Sequence, residues 1–406
     1  MSMVRKLLAI VMTLVLFASL PVFAQAQTVE EVALKVWSPA TEMDITKQMC
    51  ELFAQNHPEY KLTFEYAIME VGDSINNLKK DAEDAADVFQ YPSGGIPELT
   101  QAGLIYPITL DVDAIKAAQS ETAITACTKD GLIYGIPFTP NCWFMYYDKS
   151  KYTQEEIRSL DAMLAKDLGE GVYNFSCSLD NSWFLEAFFY AAGCTLFGAD
   201  GTDATECSWN NENGLQVTEY LLNLVKGGKY INDADGLALS LMKEGKLAAL
   251  SSGTWSAADV KAALGDNYAA AMLPAITLNG EERQLSNFVD YKAYGVNVTT
   301  KHPKAAIQLA TWLGGEECQK IRFDAVSSAP TIMSLLSDAD VLANVEVAAL
   351  AKQASVATPQ PSTPKLADYW TPVAAFGSEL VNGTLTLENA QEKLDSMVEG
   401  ILGTLK

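Results

Sequence analysis

From Val32 onward the spacing of apolar positions switches repeatedly between two and three-to-four residues. Val32-Ala-Leu-Lys-Val-Trp37 is a short β-type run, Ile45 to Ala54 has helical spacing, and Lys61-Leu-Thr-Phe-Glu-Tyr66 alternates again. An acidic helix is expected next, followed by a strand at Asp87-Val-Phe-Gln-Tyr91. Strands alternating with helices in this way predict an α/β fold with a parallel sheet. Later, Pro303 opens a helix in which Ala306, Leu309, Ala310 and Leu313 share a face. Glu388 to Leu405 repeats the pattern at Leu394, Met397, Val398, Ile401 and Leu405. The polar stretch Ala357-Thr-Pro-Gln-Pro-Ser-Thr-Pro364 reads as a loop leading to the C-terminal helices. No internal repeat or heptad run interrupts the pattern. The 406 residues exceed what one hydrophobic core organises, so two lobes are expected.

Ahead of this pattern lie Arg5-Lys6, an apolar run from Leu7 to about Phe17, and Ala24-Gln25-Ala26. A charged start, a short apolar run and a small-x-small site describe an export signal, with cleavage after Ala26. The first cysteine is Cys50, so a lipid anchor on an N-terminal cysteine is not expected. The net charge is −23, and removing the signal would take away two bases and no acid. A surface this acidic argues against nucleic acid as a partner and suits a neutral ligand or a basic docking surface on a membrane complex. The seven cysteines are an odd number. Most read as small buried residues, and Cys194 with Cys207, flanking the turn-rich Gly198 to Asp203, is the pair that a disulfide would join.

Catalytic chemistry is thinly provided. The two histidines, His57 and His302, each precede a proline in a polar turn. There is no nucleophile elbow, zinc-protease helix, phosphate loop or paired C-x-x-C set. The acidic stretches Asp111-Val-Asp113 and Asp200 to Asp203 lack the spacing of a calcium loop and read as turns, so neither metal nor cofactor is expected. Cys142 is the one candidate nucleophile, but Pro137 to Tyr147 around it offers no cation or base to ionise a thiol. It reads as a passive thiol.

Tryptophan carries the functional signal. Trp37 ends the first strand, Trp143 follows Asn141 by two positions, Trp183 and Phe184 follow Asp180-Asn-Ser, Trp255 lies in Ser252-Gly-Thr-Trp-Ser256, and Trp370 follows Asp368-Tyr. Indoles beside Gly, Asn, Asp or Ser near strand ends and turns are expected to line a cleft. Trp312, inside an amphipathic helix, reads as core. Aromatic faces mixed with amides and carboxylates suit sugars, because a pyranose offers an apolar C–H face to stack on and a rim of hydroxyls to bond.

At these residues the chain resembles the extracellular solute-binding proteins of sugar importers, and most of all maltose and maltodextrin-binding proteins. The resemblance is carried by Val36-Trp37-Ser38, Asp87 to Tyr91 with Leu104-Ile-Tyr-Pro-Ile108, and Tyr134-Gly-Ile-Pro137 with Tyr146-Tyr-Asp-Lys149. It continues through Gly245-Lys-Leu-Ala-Ala249, Gly253-Thr-Trp255, Met272-Leu-Pro274 and Asp368-Tyr-Trp370. It implies a two-lobed periplasmic-binding-protein-like fold with the ligand cleft between lobes. The expected segments are 27–139 with 293–335 in the N-terminal lobe and 144–287 with 340–406 in the C-terminal lobe. It also implies an exported, monomeric, non-catalytic protein that binds an α-1,4-glucan and meets the permease subunits of an ABC transporter. The ligand-binding residues it marks are Trp37, Tyr91, Asn141, Trp143, Trp183, Phe184, Trp255 and Trp370. Asn141 stands where many members carry a sugar-binding acid, and Ser93-Gly94 where an acid often follows the aromatic. The alternative is a transferase or hydrolase on the same scaffold, as in thiamine-degrading transferases, with Cys142 as nucleophile.

Overall fold

The computed structural model describes residues 29–234 and 236–403, so the export signal expected over residues 1–26 lies outside the described residues. The first strand, β1 (Glu30–Ser38), buries Val32, Leu34 and Val36 against α1 (Met43–Asn56), whose Met49, Cys50 and Phe53 form one face. β2 (Tyr60–Ile68) pairs parallel with β1, Val32 opposite Leu62. After α2 (Ser74–Lys80), β3 (Val88–Pro92) pairs parallel on the other side of β1. The expected acidic helix is corrected here. α2 carries Lys79 and Lys80 and no acid, while Asp81 to Asp84 form a turn in which the Asp81 carboxylate accepts the Asp84 N–H at 3.2 Å. Short side-chain acceptors of this kind hold turns better than helix interiors.

The chain reaches the second sheet through β4 (Ile136–Asn141) and β5 (Phe144–Asp148). β5 lies inside a five-stranded sheet and is buried on both faces: Met145 and Tyr147 enter one core while Phe144 and Tyr146 enter another. That sheet runs β9–β5–β8–β6–β7, where β6 is Phe175–Ser176, β7 Tyr230–Ile231, β8 Ala249–Ser252 and β9 Tyr268–Ala271. Between them, α3 (Ser182–Ala191) and α4 (Glu212–Lys226) build the larger core, in which Trp209 stacks flat on Phe189 at 4.3 Å.

β10 (Phe288–Val296) returns to the first sheet, antiparallel to both β3 and β4. α5 (Pro303–Leu313) has proline at its start and buries the anticipated Ala306, Leu309, Ala310 and Leu313; Trp312 is partly buried and donates its N–H to the Met49 carbonyl at 2.9 Å. α6 (Glu316–Val326) follows. The stretch expected as a simple loop over 357–364 does more: β11 (Thr358–Pro359) pairs parallel with Phe288 and Val289 of β10, closing the six-stranded sheet. α7 (Trp370–Asn382) and α8 (Ala390–Leu402) then pack on the second lobe. Leu405, expected at the end of the last helix, lies outside the described residues.

Arg322 of α6 pins the first lobe. Its side chain is fully buried, bonds Glu42 at 3.2 Å and the Leu313 carbonyl at 2.8 Å, donates to the Tyr294 hydroxyl, and lies 4.6 Å from the Phe138 ring centroid. Removing one partner of a buried ion pair leaves the other uncompensated. Arg322→Met is therefore expected to cost about 3–5 kcal/mol in urea unfolding. A loss below about 1 kcal/mol, the range of exposed pairs, would overturn this account.

Candidate functional site

Between the two sheets lies a cavity of about 880 Å³ whose two walls differ in chemistry. The second-lobe wall is aromatic. Asn181 caps α3 by accepting the Trp183 N–H at 2.9 Å, which places Trp183 and Phe184 on the first turn at the cavity edge. Trp370 opens α7, and the adjacent Tyr369 hydroxyl donates to the Ser182 carbonyl at 2.9 Å, so the starts of the two helices are tied together. The approach is close enough that a Cβ at Gly377 would stand 2.1 Å from the Leu179 carbonyl oxygen. Trp183 and Trp370 consequently lie 6.3 Å apart, tilted by 37°. Trp255, 39% exposed, reaches the cavity from a short 3-10 turn after β8, with the Lys292 ammonium 5.0 Å from its ring centroid.

The opposite wall is polar. Ile75, Asn76 and Lys79 of α2 share it with Glu70, Gly72 and Asp73 just before that helix and with Glu98, which is ion-paired to Lys79. These residues were not singled out by the sequence, where charges at helical spacing look like an ordinary solvated face. Asn181 and Gln360 were also missed, although both line the cavity.

The floor is organised by Asp290 on β10. Its carboxylate accepts the Gly94 N–H at 3.1 Å and the Asn141 side-chain N–H at 2.6 Å, and both of those residues line the cavity. Burial pushes the Asp290 carboxyl up to about 7, against the lowering influence of Gly94, Asn141 and Lys292. Burial also holds the Lys292 ammonium below its ordinary value, opposed by Glu42, Asp290 and Glu70.

Of the eight residues anticipated for the site, five meet at this cavity: Asn141, Trp183, Phe184, Trp255 and Trp370. The other three do not line it. Trp37 is 6% exposed and meets Phe89 edge-on in the first-lobe core, because the end of β1 is covered on both faces. Tyr91 is fully buried and donates its hydroxyl to the Tyr134 carbonyl at 3.1 Å. Trp143, also fully buried, stands behind the aromatic wall: its N–H reaches the Trp183 carbonyl at 3.0 Å and its ring packs on Phe184 at 4.9 Å. Cys142 is buried too. Its thiol lies 3.5 Å from the Asn287 side-chain oxygen and burial pushes it up to about 12, which gives no support to the enzyme alternative. Cys194 and Cys207 are both free thiols. Asp200 and Asp203 accept the N–H and hydroxyl of Thr202 and Thr205, the turn role expected of them.

Asp290 makes stability pH-dependent in a definite direction. Its folded value lies above the ordinary 3.8, so the folded chain holds an extra proton between about pH 4 and 7. The associated stabilisation is complete at the acidic end and is lost as pH rises through about 7, on the order of 4 kcal/mol in all. Asp290→Asn removes this dependence. In urea unfolding at pH 4.5, 6 and 8, the variant is expected to gain on the wild type as pH rises, and parallel curves would refute the assignment.

Comparison with known proteins places the chain among others of this architecture. The family model for bacterial extracellular solute-binding proteins matches residues 48–349. The galactooligosaccharide-binding protein of Bacillus subtilis (strain 168) is 25% identical over 346 residues, 82% of this chain and 80% of that one. A solved structure determined with acarbose is 34% identical, covers 93% of this chain and 100% of its own, and superimposes with a TM-score of 0.87. The maltodextrin-binding protein MalE1 of L. casei BL23, solved without ligand, is 25% identical over 92% of this chain and 99% of its own, with a TM-score of 0.79. Among the described residues no helix is long and apolar enough to cross a membrane. With the fold, the cleft and a family match over most of its length in agreement, this chain belongs to the bacterial extracellular solute-binding proteins.

Proposed function

We propose that this protein is the substrate-binding component of a carbohydrate ABC importer, holding malto-oligosaccharides in the cleft and presenting them to the permease. The observation that carries the reading is the pairing of an aromatic wall, Trp183, Phe184, Trp255 and Trp370, with a wall of amides and carboxylates across one cavity. Pyranose rings stack their C–H faces on the first and direct hydroxyls to the second. Several aromatic platforms in a cavity of about 880 Å³ suit a chain of sugars better than a single ring. The similar structure determined with acarbose and the similar protein named for maltodextrin support the α-1,4-glucan. The similar galactooligosaccharide-binding protein supports a galacto-oligosaccharide as the second reading.

The reading carries the expected lobe boundaries with it, 27–139 with 293–335 and 144–287 with 340–406, the short segments between them serving as the hinge; within the last segment Thr358–Pro359 joins the first sheet, and residues 27–28, 235 and 404–406 lie outside the described residues. A ligand that contacts both walls favours the closed state by its differential contacts. Small-angle scattering is expected to show a smaller radius of gyration with saturating maltotriose, and an unchanged radius would count against closure.

The specificity is tested by calorimetric titration with maltotriose, cellotriose and a galactotriose. Maltotriose is expected to saturate, and Trp370→Ala to weaken it by about 2 kcal/mol, the size of an aromatic anchor. Saturation by galactotriose but not maltotriose would transfer the assignment to the second reading, and no binding by any of the three would remove the carbohydrate.

A further inference from the structure

Among the described residues, eight buried side-chain polar atoms lack a hydrogen-bond partner, and one of these, Oε1 of Gln360, belongs to a residue that lines the cleft. Of the buried glutamines elsewhere in the fold, Gln90 shares this condition but lies away from the cavity, whereas Gln119, Gln319 and Gln353 do not share it. Gln119 donates to the Pro137 and Gly314 carbonyls and accepts from Thr331, Gln319 is bonded at both ends of its amide, and Gln353 accepts the Leu273 N–H while donating to Leu285 and Asn287. A buried amide oxygen without a donor is costly, so its persistence calls for an explanation.

The position of Gln360 supplies one. Its backbone is fixed, because its N–H donates to the Val289 carbonyl at 3.0 Å and it directly follows the strand Thr358–Pro359 that pairs with β10. Its side chain crosses to the first lobe and lies against Gly94, where a Cβ would stand 2.1 Å from the amide nitrogen. Gly94 in turn is held by Asp290, which also holds Asn141. Gln360 thus sits at the same floor as Asn141, between the aromatic and polar walls, on a segment that cannot drift.

We propose that Gln360 is a specificity-determining residue of the cleft whose amide takes a pair of neighbouring hydroxyls of the bound sugar, the carbonyl oxygen accepting from one and the N–H donating to the other. The inference rests on the carbohydrate reading and adds to it a named hydroxyl reader, one that the Pro- and Thr-rich sequence around it conceals. An amide offers an acceptor and a donor side by side, and adjacent hydroxyls on a pyranose offer the complementary pair. Asn141 has one of its two side-chain N–H groups committed to Asp290, which leaves less of its amide for the sugar.

Two substitutions separate the roles. Gln360→Met keeps length and loses both hydrogen-bonding functions; Gln360→Glu keeps acceptors at the same reach. Wild type and both variants are titrated calorimetrically with maltotriose, and with the galactotriose should that be the sugar that binds; thermal unfolding confirms that each variant is folded. The Met variant is expected to bind about ten-fold more weakly and the Glu variant to recover most of the loss. Wild-type affinity in the Met variant, or equal impairment in both, would overturn the proposal. Failure of the wild type with every sugar would overturn the carbohydrate reading first, and this inference with it.

Discussion

Asp290 draws three segments together through one carboxyl: the strand on which it lies, the Gly94 turn after β3, and Asn141 at the end of β4. Each of these sits where the chain passes between the two sheets or beside that passage. A carboxylate taken out of water needs donors to compensate, and here the donors are the groups that line the cleft floor. The arrangement also explains the amide at position 141. An acid there would bring a second carboxylate to the 2.6 Å separation now bridged by an N–H, which two ionised groups do not tolerate.

The aromatic wall depends on a different device. Two helices start side by side, one capped by Asn181 and the other fastened by the Tyr369 hydroxyl, and each delivers an indole in its first turn. Trp143 backs this pair without touching the cleft, and Glu186, fully buried with its carboxyl held well above the usual range by desolvation, accepts the Phe288 N–H at 2.9 Å and so ties α3 to the returning strand β10. The two indoles are thus mounted on helix starts that the core holds, while the polar wall is built mainly from the first lobe. A ligand meets both walls only by bridging them.

Much of this was legible in the sequence, and the misses have physical causes. The first three strands and the helix opened by Pro303 announce themselves by period, and Trp183, Trp255 and Trp370 by polar neighbours at turns. Trp143 looks similar, with Asn141 nearby, yet it adjoins a strand buried on both faces, and a two-sided strand gives no alternation to show which neighbours are inside. Tyr91 lies on such a two-sided strand as well, and Trp37 at the end of β1, where the alternation stops because both faces are covered. The polar wall at Glu70, Asp73, Asn76 and Lys79 reads like any solvated face until the second lobe is placed opposite it. Residues 357–364 pair with a strand some seventy positions earlier, and local composition carries no trace of a partner that distant.

All seven cysteines are free, and the fold alone keeps them so. Burial pushes Cys50, Cys142, Cys194 and Cys318 up to about 12 and the half-buried Cys207 to about 11, whereas an unfolded cysteine titrates near 8.5. The reactive thiolate is then rarer by roughly a thousandfold in the folded chain at the most protected sites, in addition to being out of reach. Outside a reducing compartment, this protein would face a race between collapse and oxidant. A chain that folds first carries seven free thiols, six of them buried; one that lingers open exposes all of them to random cross-linking, and no native disulfide exists to guide it back.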